Sequence, residues 1–420
     1  MKHLVVTEGF GLIVIKELGE DCLTPLEADE LANYVSFKDL DKDNIFISRN
    51  EVKFINYVGY IRLSSCSIEI LPKVHGEKLE HSRRVLINLL NCTGFLKIKE
   101  SEISELSLLR ENLFEILGYL FTKRLTQEVK KGLYQSYVLE DEQLYTIKGK
   151  VDVKKQIRNN ASKSTAVSCE FDEFKTDNPL NQIFKMAIRK LLSNVKFNET
   201  QRLLLNSIAR FDEVSSTPIS TYQLENVHFN RNNRRYYDIY LLAKLILSGS
   251  SSTFQSETSK SLSILFKMNE LFEEYIAYLV IQATSDVTIK DRRYRLLVNE
   301  KTGNKNFLLE PDLLINKNSD KQFIIDTKWK RYNPASNSHG VQRNDLYQMY
   351  AYLTRYERVH TVILLYPYAY NKNFESGKCL NIWHLDRNSD KKIKCYTINY
   401  ENEIAALAEI KAITEENLVG

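Results

Sequence analysis

The run FLLEPDLLINKNSDKQFIIDTKWK (307–330) decides the reading of this chain. With NDLYQMYAYLTRY (344–356) it holds the one arrangement of charged residues that looks built for chemistry. Two short segments rich in Ile, Leu and Phe, FLLEPDLLI (307–315) and QFIIDTKWK (322–330), flank the polar turn NKNSDK, which predicts two β-strands joined as a hairpin. Asp312 stands directly behind Pro311 on the first. On the second, side chains alternate faces, so Asp326 and Lys328 project to one side and Thr327 to the other. Two carboxylates and an ammonium are therefore expected to converge.

That convergence suits phosphodiester hydrolysis. Asp312 and Asp326 offer hard oxygen ligands to one or two Mg²⁺ ions, with the Thr327 carbonyl and waters completing the octahedron. Lys328 would orient or deprotonate the attacking water and offset charge in the transition state, work suited to a compact ammonium. A D-x-K triplet also arises by chance, usually on a solvated strand edge. The apolar run Phe323-Ile324-Ile325 separates the two cases, because an acid at the end of a buried strand must be paired or metal-bound. Gln348 and Tyr352 lie four apart in a helical stretch and share one face, so both can point toward the metal site or the DNA. The alternative for them is an ordinary helix packing Tyr347, Met349, Tyr350 and Leu353.

Pro311, Asp312, Asp326, Thr327 and Lys328 match the PD-(D/E)xK nuclease signature, and Gln348 with Tyr352 resembles the Q-x-x-x-Y helix motif of its RecB-like members. DTKWK followed by NDLYQMYAYLTRY is similar to the McrC family, the nuclease subunits of modified-cytosine restriction systems. The segments 58–74, 169–185, 229–249 and 266–279 look like further blocks of that family, in its order. The resemblance implies a restriction-endonuclease-like domain that uses Mg²⁺. It also implies double-stranded DNA containing modified cytosine as substrate, and an adaptor that docks on a hexameric McrB-like AAA+ GTPase and stimulates it. GTP would then be bound by that partner. Many PD-(D/E)xK enzymes place a helix glutamate beside the metal. The family pattern LFE favours Glu273 for this part, although Glu270 and Glu274 are the pair that share a face by spacing. A standalone RecB-like nuclease and a nuclease-inactive activator of an AAA+ GTPase are the competing readings, and the intact Asp-Asp-Lys set argues against the second.

The rest of the chain sets the frame. Its 420 residues suffice for two or more domains, and its net charge of +4 does not by itself reveal a nucleic-acid binder. Six scattered cysteines without a C-x-x-C pair read as free thiols in a reducing compartment. The start, MKHLVVTEGFGLIVIKE, reads as a strand pair rather than a signal peptide. No run reaches the length of a membrane span, which places the expectation in the cytoplasm, away from membrane. The pattern G-x-x-x-x-G-K-[ST] is absent, so no nucleotide hydrolysis is expected of this chain.

The expected class is α/β, α+β overall. Residues 1–247 form an adaptor region, β-rich over 1–75 and mostly helical over 76–247. The serine-rich stretch 248–260 reads as a linker, and 261–420 as the nuclease domain with element order α-β-β-β-α-β. Asp177 or Asn178 would cap the helix that opens at Pro179. The acidic residues Glu170, Asp172, Glu173 and Asp177 match no ligand loop. The basic residues Arg231, Arg234 and Arg235 would touch phosphate or a partner, or simply flank a surface helix. His339 would contact DNA or lie in a solvated loop.

Overall fold

The computed structural model describes residues 2–40, 44–74, 78–98, 110–161, 165–248, 262–318, 322–332, 334, 340–369, 374–386 and 390–419. The chain folds as two compact units, one of residues 1–110 with 265–420 and one of residues 111–264. The division differs from the linear one drawn above, because the β-rich start of the chain groups with the carboxy-terminal sheet. Past Ser248, the expected linker lies outside the described residues, as does His339.

The first unit opens with β1 (Lys2–Thr7), β2 (Leu12–Val14), α1 (Pro25–Phe37), β3 (Ile45–Ile47), β4 (Glu51–Phe54), β5 (Tyr57–Arg62), β6 (Cys66–Leu71) and α2 (Leu79–Cys92). The expected amino-terminal strand pair separates. β1 runs parallel to β6, while β2 pairs antiparallel with β4 in a second small sheet. The stretch KFINYVGYIRLSSCSIEILPKV gives three strands, because Asn56 at φ 63 turns the chain between β4 and β5. Leu4, Val6, Ile61, Ile68 and Ile70 fill the core between these elements. Helix α1 starts on a reciprocal cap, Thr24 accepting from the Glu27 amide and Glu27 accepting from the Thr24 amide.

The second unit is mainly helical: α3 (Leu113–Val129), β7 (Ser136–Leu144), β8 (Lys150–Val151), α4 (Val153–Ala161), β9 (Val167–Lys175), α5 (Pro179–Leu192), α6 (Asn198–Ile208), α7 (Thr221–Glu225) and α8 (Tyr237–Ser248). Asn178 is the cap of α5, accepting from the Asn181 amide at 3.1 Å, and Pro179 fills the first turn. Asp177 instead accepts from the Ser215 amide and the Gln182 side chain. A three-stranded antiparallel sheet in the order β7-β9-β8 leaves Tyr137, Leu139 and Phe174 exposed.

Strand β10 (Leu262–Lys267) leads into α9 (Met268–Ala283), β11 (Val287–Ile289), β12 (Arg295–Val298), β13 (Lys305–Leu308), β14 (Leu313–Ile315), β15 (Gln322–Thr327), α10 (Arg343–Arg355), β16 (Val359–Pro367), β17 (Cys379–His384), β18 (Lys392–Ile398) and α11 (Glu403–Val419). Six of these strands form a mixed sheet in the order β11-β14-β15-β16-β18-β17. β14 and β15 pair antiparallel, as the hairpin reading expects, and β15, β16 and β18 run parallel. β12 and β13 leave this sheet as a separate two-stranded ribbon, so FLLEPDLLI contributes to two sheets rather than one strand.

The central strands are buried on both faces, which is why FIID and VILLYP read as continuous apolar runs. Ile324, Val362, Leu364 and Tyr366 pack with Met349, Tyr352 and Leu353 of α10. Asp326 has the parity of Ile324 and so faces α10. All six cysteines are free, and Cys22, Cys66, Cys169 and Cys395 are buried.

Candidate active site at the end of the mixed sheet

Strand β15 carries Asp326 to the end of the sheet almost fully buried, at 1% exposure. The Lys328 ammonium contacts its Oδ2 and donates to Gln348 Oε1 at 3.0 Å. Gln348 Nε2 donates to the Tyr352 hydroxyl at 2.8 Å, and that hydroxyl donates to the Glu310 carbonyl at 3.1 Å. The two residues singled out on the helix thus tie Lys328 to the backbone just before Pro311 and Asp312.

Asp312 is held from the Thr327 side. Its Oδ2 accepts from the Thr327 amide at 2.6 Å and from the Thr327 hydroxyl at 2.8 Å. Alternation places the Thr327 side chain away from Asp326, and the Asp312 carboxylate meets it there, so the site straddles the strand end. Lys290 closes this side: its amide donates to the Asp312 carbonyl at 2.9 Å, and its ammonium lies 3.1 Å from Glu273 on α9. Glu270 instead pairs with Lys267 at 3.5 Å and is largely exposed.

The electrostatics follow from burial. Desolvation and then the Asp312 charge push the Asp326 carboxyl up to about 7, against the pull of Lys328. Desolvation also raises Asp312, opposed by its Thr327 hydrogen bonds and by Lys328 and Lys290. Glu273 rises for the same reason, with Asp312 as the next cause. For Lys328, burial pulls downward, but Asp326 and Asp312 outweigh it and hold the ammonium above its ordinary value. Burial and Asp326 raise Tyr352, which stays a hydroxyl donor.

Several participants escape a reading of the sequence. Asp345, in the first turn of α10, is buried and accepts from Lys330 at 2.9 Å and from the Tyr366 hydroxyl at 3.3 Å. Its charge acts on both Asp326 and Lys328. The second lysine of DTKWK was the available signal for this pair. For Lys290 and the Thr327 hydroxyl there was none, since their partners are set by tertiary packing.

These residues fit a divalent cation. The Asp312 charge raises the pKa of the buried Asp326 carboxyl, and Asp326 Oδ2 accepts no well-directed hydrogen bond despite the nearby ammonium. An oxygen-ligated cation relieves both conditions. The acids of 170–177 do not converge in this way. Glu173 pairs with Lys148 at 3.2 Å, and Asp177 serves the α5 entry. Glu170 instead lies with Asp141 and Asp152, their ligand atoms within 4.8 Å of one another, and Lys155 pairs with both aspartates. Arg235 supports local structure, donating to the Tyr236 hydroxyl at 2.9 Å and stacking on its ring.

By fold and site, the chain is a mixed α/β protein with an acid-acid-lysine cluster at the end of a six-stranded sheet. The family described as McrBC 5-methylcytosine restriction system component matches residues 52–367, and the chain belongs to that family. Among curated proteins it is similar to the type IV methyl-directed restriction enzyme EcoKMcrBC of Escherichia coli (strain K12), 25% identical over 297 residues, covering 64% of this chain and 80% of that protein. Among solved structures it resembles a chain of the refined half-complex from the tetradecameric assembly of Thermococcus gammatolerans McrB AAA+ hexamers with bound McrC. There the TM-score is 0.74 at 22% identity, over 99% of this chain and 100% of that one. A chain of the cryo-EM structure of the Thermococcus gammatolerans McrBC complex aligns with a TM-score of 0.51 at 26% identity, over 67% of this chain and 88% of that one. Among the described residues, no helix is long and apolar enough to cross a membrane.

Proposed function

We propose that this chain is the nuclease subunit of a GTP-dependent, modified-cytosine-specific restriction complex, hydrolysing phosphodiester bonds of double-stranded DNA with Mg²⁺. The observation that carries the reading is the Lys328 ammonium, held between Asp326 and Gln348 while Asp312 is fixed across the strand end by Thr327. Asp312 and Asp326 would bind the metal, with the Thr327 carbonyl beside them and Glu273 at the margin. When bound, Mg²⁺ supplies Lewis-acid polarisation of the phosphate and a water of lowered pKa. Lys328 orients the attacking water and balances charge as the phosphorus gains its fifth oxygen. Gln348 fixes the ammonium, and Tyr352 fixes Gln348 against the Glu310 carbonyl. Burial shields Asp326 and Tyr352 from solvent, while Gln348 reaches Lys328 from the exposed side.

The partner in this reading is an McrB-like AAA+ GTPase hexamer, which binds the GTP, recognises the modified base and drives DNA past the nuclease. The adaptor role assigned to 1–247 narrows to the unit 111–264. Support comes from its exposed apolar side chains: Tyr137, Leu139, Tyr145 and Ile147 are each more than 60% exposed.

The test is cleavage of methylated and unmethylated plasmid by the purified chain, with and without the GTPase, in Mg²⁺ and GTP. Asp326→Ala is run in parallel. The reading expects cutting only with the GTPase and methylation, and a variant that stops cutting while still accelerating GTP turnover. Cutting by the chain alone, indifferent to GTP, replaces it with a standalone RecB-like nuclease.

A further inference from the structure

Next to the candidate active site lies a pocket of about 190 Å³ with an unusual wall. Trp329, which lines it, directly follows Lys328, and Arg331 is two residues further on. Phe10, in the turn between β1 and β2, and Lys73, just past β6, belong to the same unit, and Tyr368 follows β16. Phe10 is 57% exposed, yet the Lys73 ammonium and the Arg331 guanidinium lie 5.6 and 5.8 Å from its ring centre. Lys73 also sits 5.3 Å from the Trp329 ring.

The turn that presents Phe10 is specialised. Gly9 adopts φ +74, and a Cβ there would lie 3.0 Å from the Lys73 side chain. A Cβ on Gly11 would collide with Val6 at 2.5 Å and with the Thr7 backbone at 2.8 Å. Phe10 therefore stands between a glycine that has no room for a Cβ and one in the left-handed region that favours glycine, on a turn that brings Lys73 close. Behind it, Glu8 is buried, accepting from the Trp329 indole at 3.1 Å and the Asn56 amide at 2.9 Å, so the turn is anchored to the segment that leaves β15 through Lys328. Lys73 has Glu8 as a carboxylate neighbour at 3.5 Å, whereas Arg331 pairs with no carboxylate among the described residues.

We propose that this pocket is a nucleotide subsite for one unpaired nucleotide of the DNA strand being cut. Its base adds to the Phe10–Arg331 stack, and its phosphate sits between Arg331 and Lys73. Aromatic rings and guanidinium planes are the platforms on which unpaired bases stack, and flanking cations track the backbone. The ligand is assigned as unpaired because a base within a duplex is stacked on its neighbours on both faces and has none free to join Phe10 and Arg331. The reach is right: three residues of chain span at most about 11 Å, so Arg331 lies within a few nucleotide steps of the phosphate at Lys328. The consequence is local strand opening at the cut, with a base taken out of the stack. The inference rests on the nuclease reading for its substrate, but binding alone tests it.

The experiment uses the full chain carrying Asp326→Ala, in Ca²⁺, so that nothing is cut. Short oligonucleotides containing 2-aminopurine, single-stranded or as a duplex with one unpaired position, are titrated against it, and the intrinsic fluorescence of Trp329 is followed. The sequence has only one other tryptophan, Trp383. The proposal expects 2-aminopurine quenching together with a change in Trp329 emission. It expects affinity for unpaired DNA to fall about tenfold in Phe10→Ala and in Arg331→Ala. Phe10→Leu, which keeps the apolar contact but not the π face, should bind as weakly as Phe10→Ala. Equal affinity in the parent and all three variants overturns the proposal, and so does full binding by Phe10→Leu. Thermal melting of each variant separates lost binding from lost folding, and Phe10, being exposed, should be replaceable without a shift. If unpaired DNA binds as described while the protein with intact Asp326 never cuts, the subsite stands and the nuclease reading falls. If cutting occurs and the variants bind normally, the reverse holds.

Discussion

Among the described residues, two groups of three carboxylates differ in how water reaches them. Asp141, Asp152 and Glu170 bring their oxygens within 4.8 Å of one another, but Asp141 is exposed and Lys155 reaches both aspartates from solvent. Asp312, Asp326 and Glu273 sit at the end of a buried sheet, where Asp326 is 1% exposed and each carboxyl is raised by desolvation. Closeness of acids is thus the weaker criterion. A solvated cluster has water and mobile lysines to satisfy it. A desolvated one holds free energy that a cation or a proton can release.

The sharpest way to break that contrast is to remove one acid from each group. Asp326→Ala should cut cleavage by about a thousandfold or more, since the metal loses a buried ligand. Asp141→Ala should leave Mg²⁺ affinity and cleavage within about twofold, because its charge is already screened. Plasmid cleavage and Mg²⁺ titration on both proteins give the answer. Loss of metal binding in Asp141→Ala would move the centre to the other unit.

A smaller effect is expected at the residues that hold the Lys328 ammonium. Gln348→Ala removes the acceptor of Lys328 and the donor to Tyr352, and should slow cleavage by about ten- to a hundredfold. Tyr352→Phe, which keeps the ring and loses the hydroxyl that accepts from Gln348 and donates to the Glu310 carbonyl, leaves the Gln348–Lys328 bond in place and should cost less than Gln348→Ala. Rates measured at saturating Mg²⁺ separate this positioning role from metal binding. If the two variants match the parent, the helix only packs.

How much of this was legible divides along physical lines. The β14–β15 hairpin, the placement of Asp326 beside Lys328, and the shared face of Gln348 and Tyr352 all follow from local periodicity. The Asn178 cap follows from local chemistry too. Partners brought by tertiary packing did not show: Lys290 against Glu273, Asp345 against Lys330, and the Thr327 hydroxyl against Asp312. The grouping of residues 1–110 with 265–420 was hidden for a related reason. β1 pairs with β6 in parallel, in the register Lys2 to Cys66, and no short-range pattern encodes a pairing across so much chain.

The smallest effect concerns stability, and it probes desolvation directly. Burial and the Asp312 charge push the Asp326 carboxyl up to about 7 from its ordinary 3.8, so between those pH values the folded protein binds a proton more tightly than the unfolded chain does. Metal-free stability should therefore fall as pH rises from about 4 to about 7 and then level off. In Asp326→Asn this contribution is gone, so the variant should gain on the parent across the same window and hold a constant difference above it. Melting temperatures in EDTA at closely spaced pH values measure the slope, and a few degrees of relative shift is the expected scale. Adding Mg²⁺ should recover the loss in the parent and not in the variant, because only the parent offers both aspartates. If the Asp326 pair runs parallel instead, burial does not raise this carboxyl and the contrast between the two acidic groups fails.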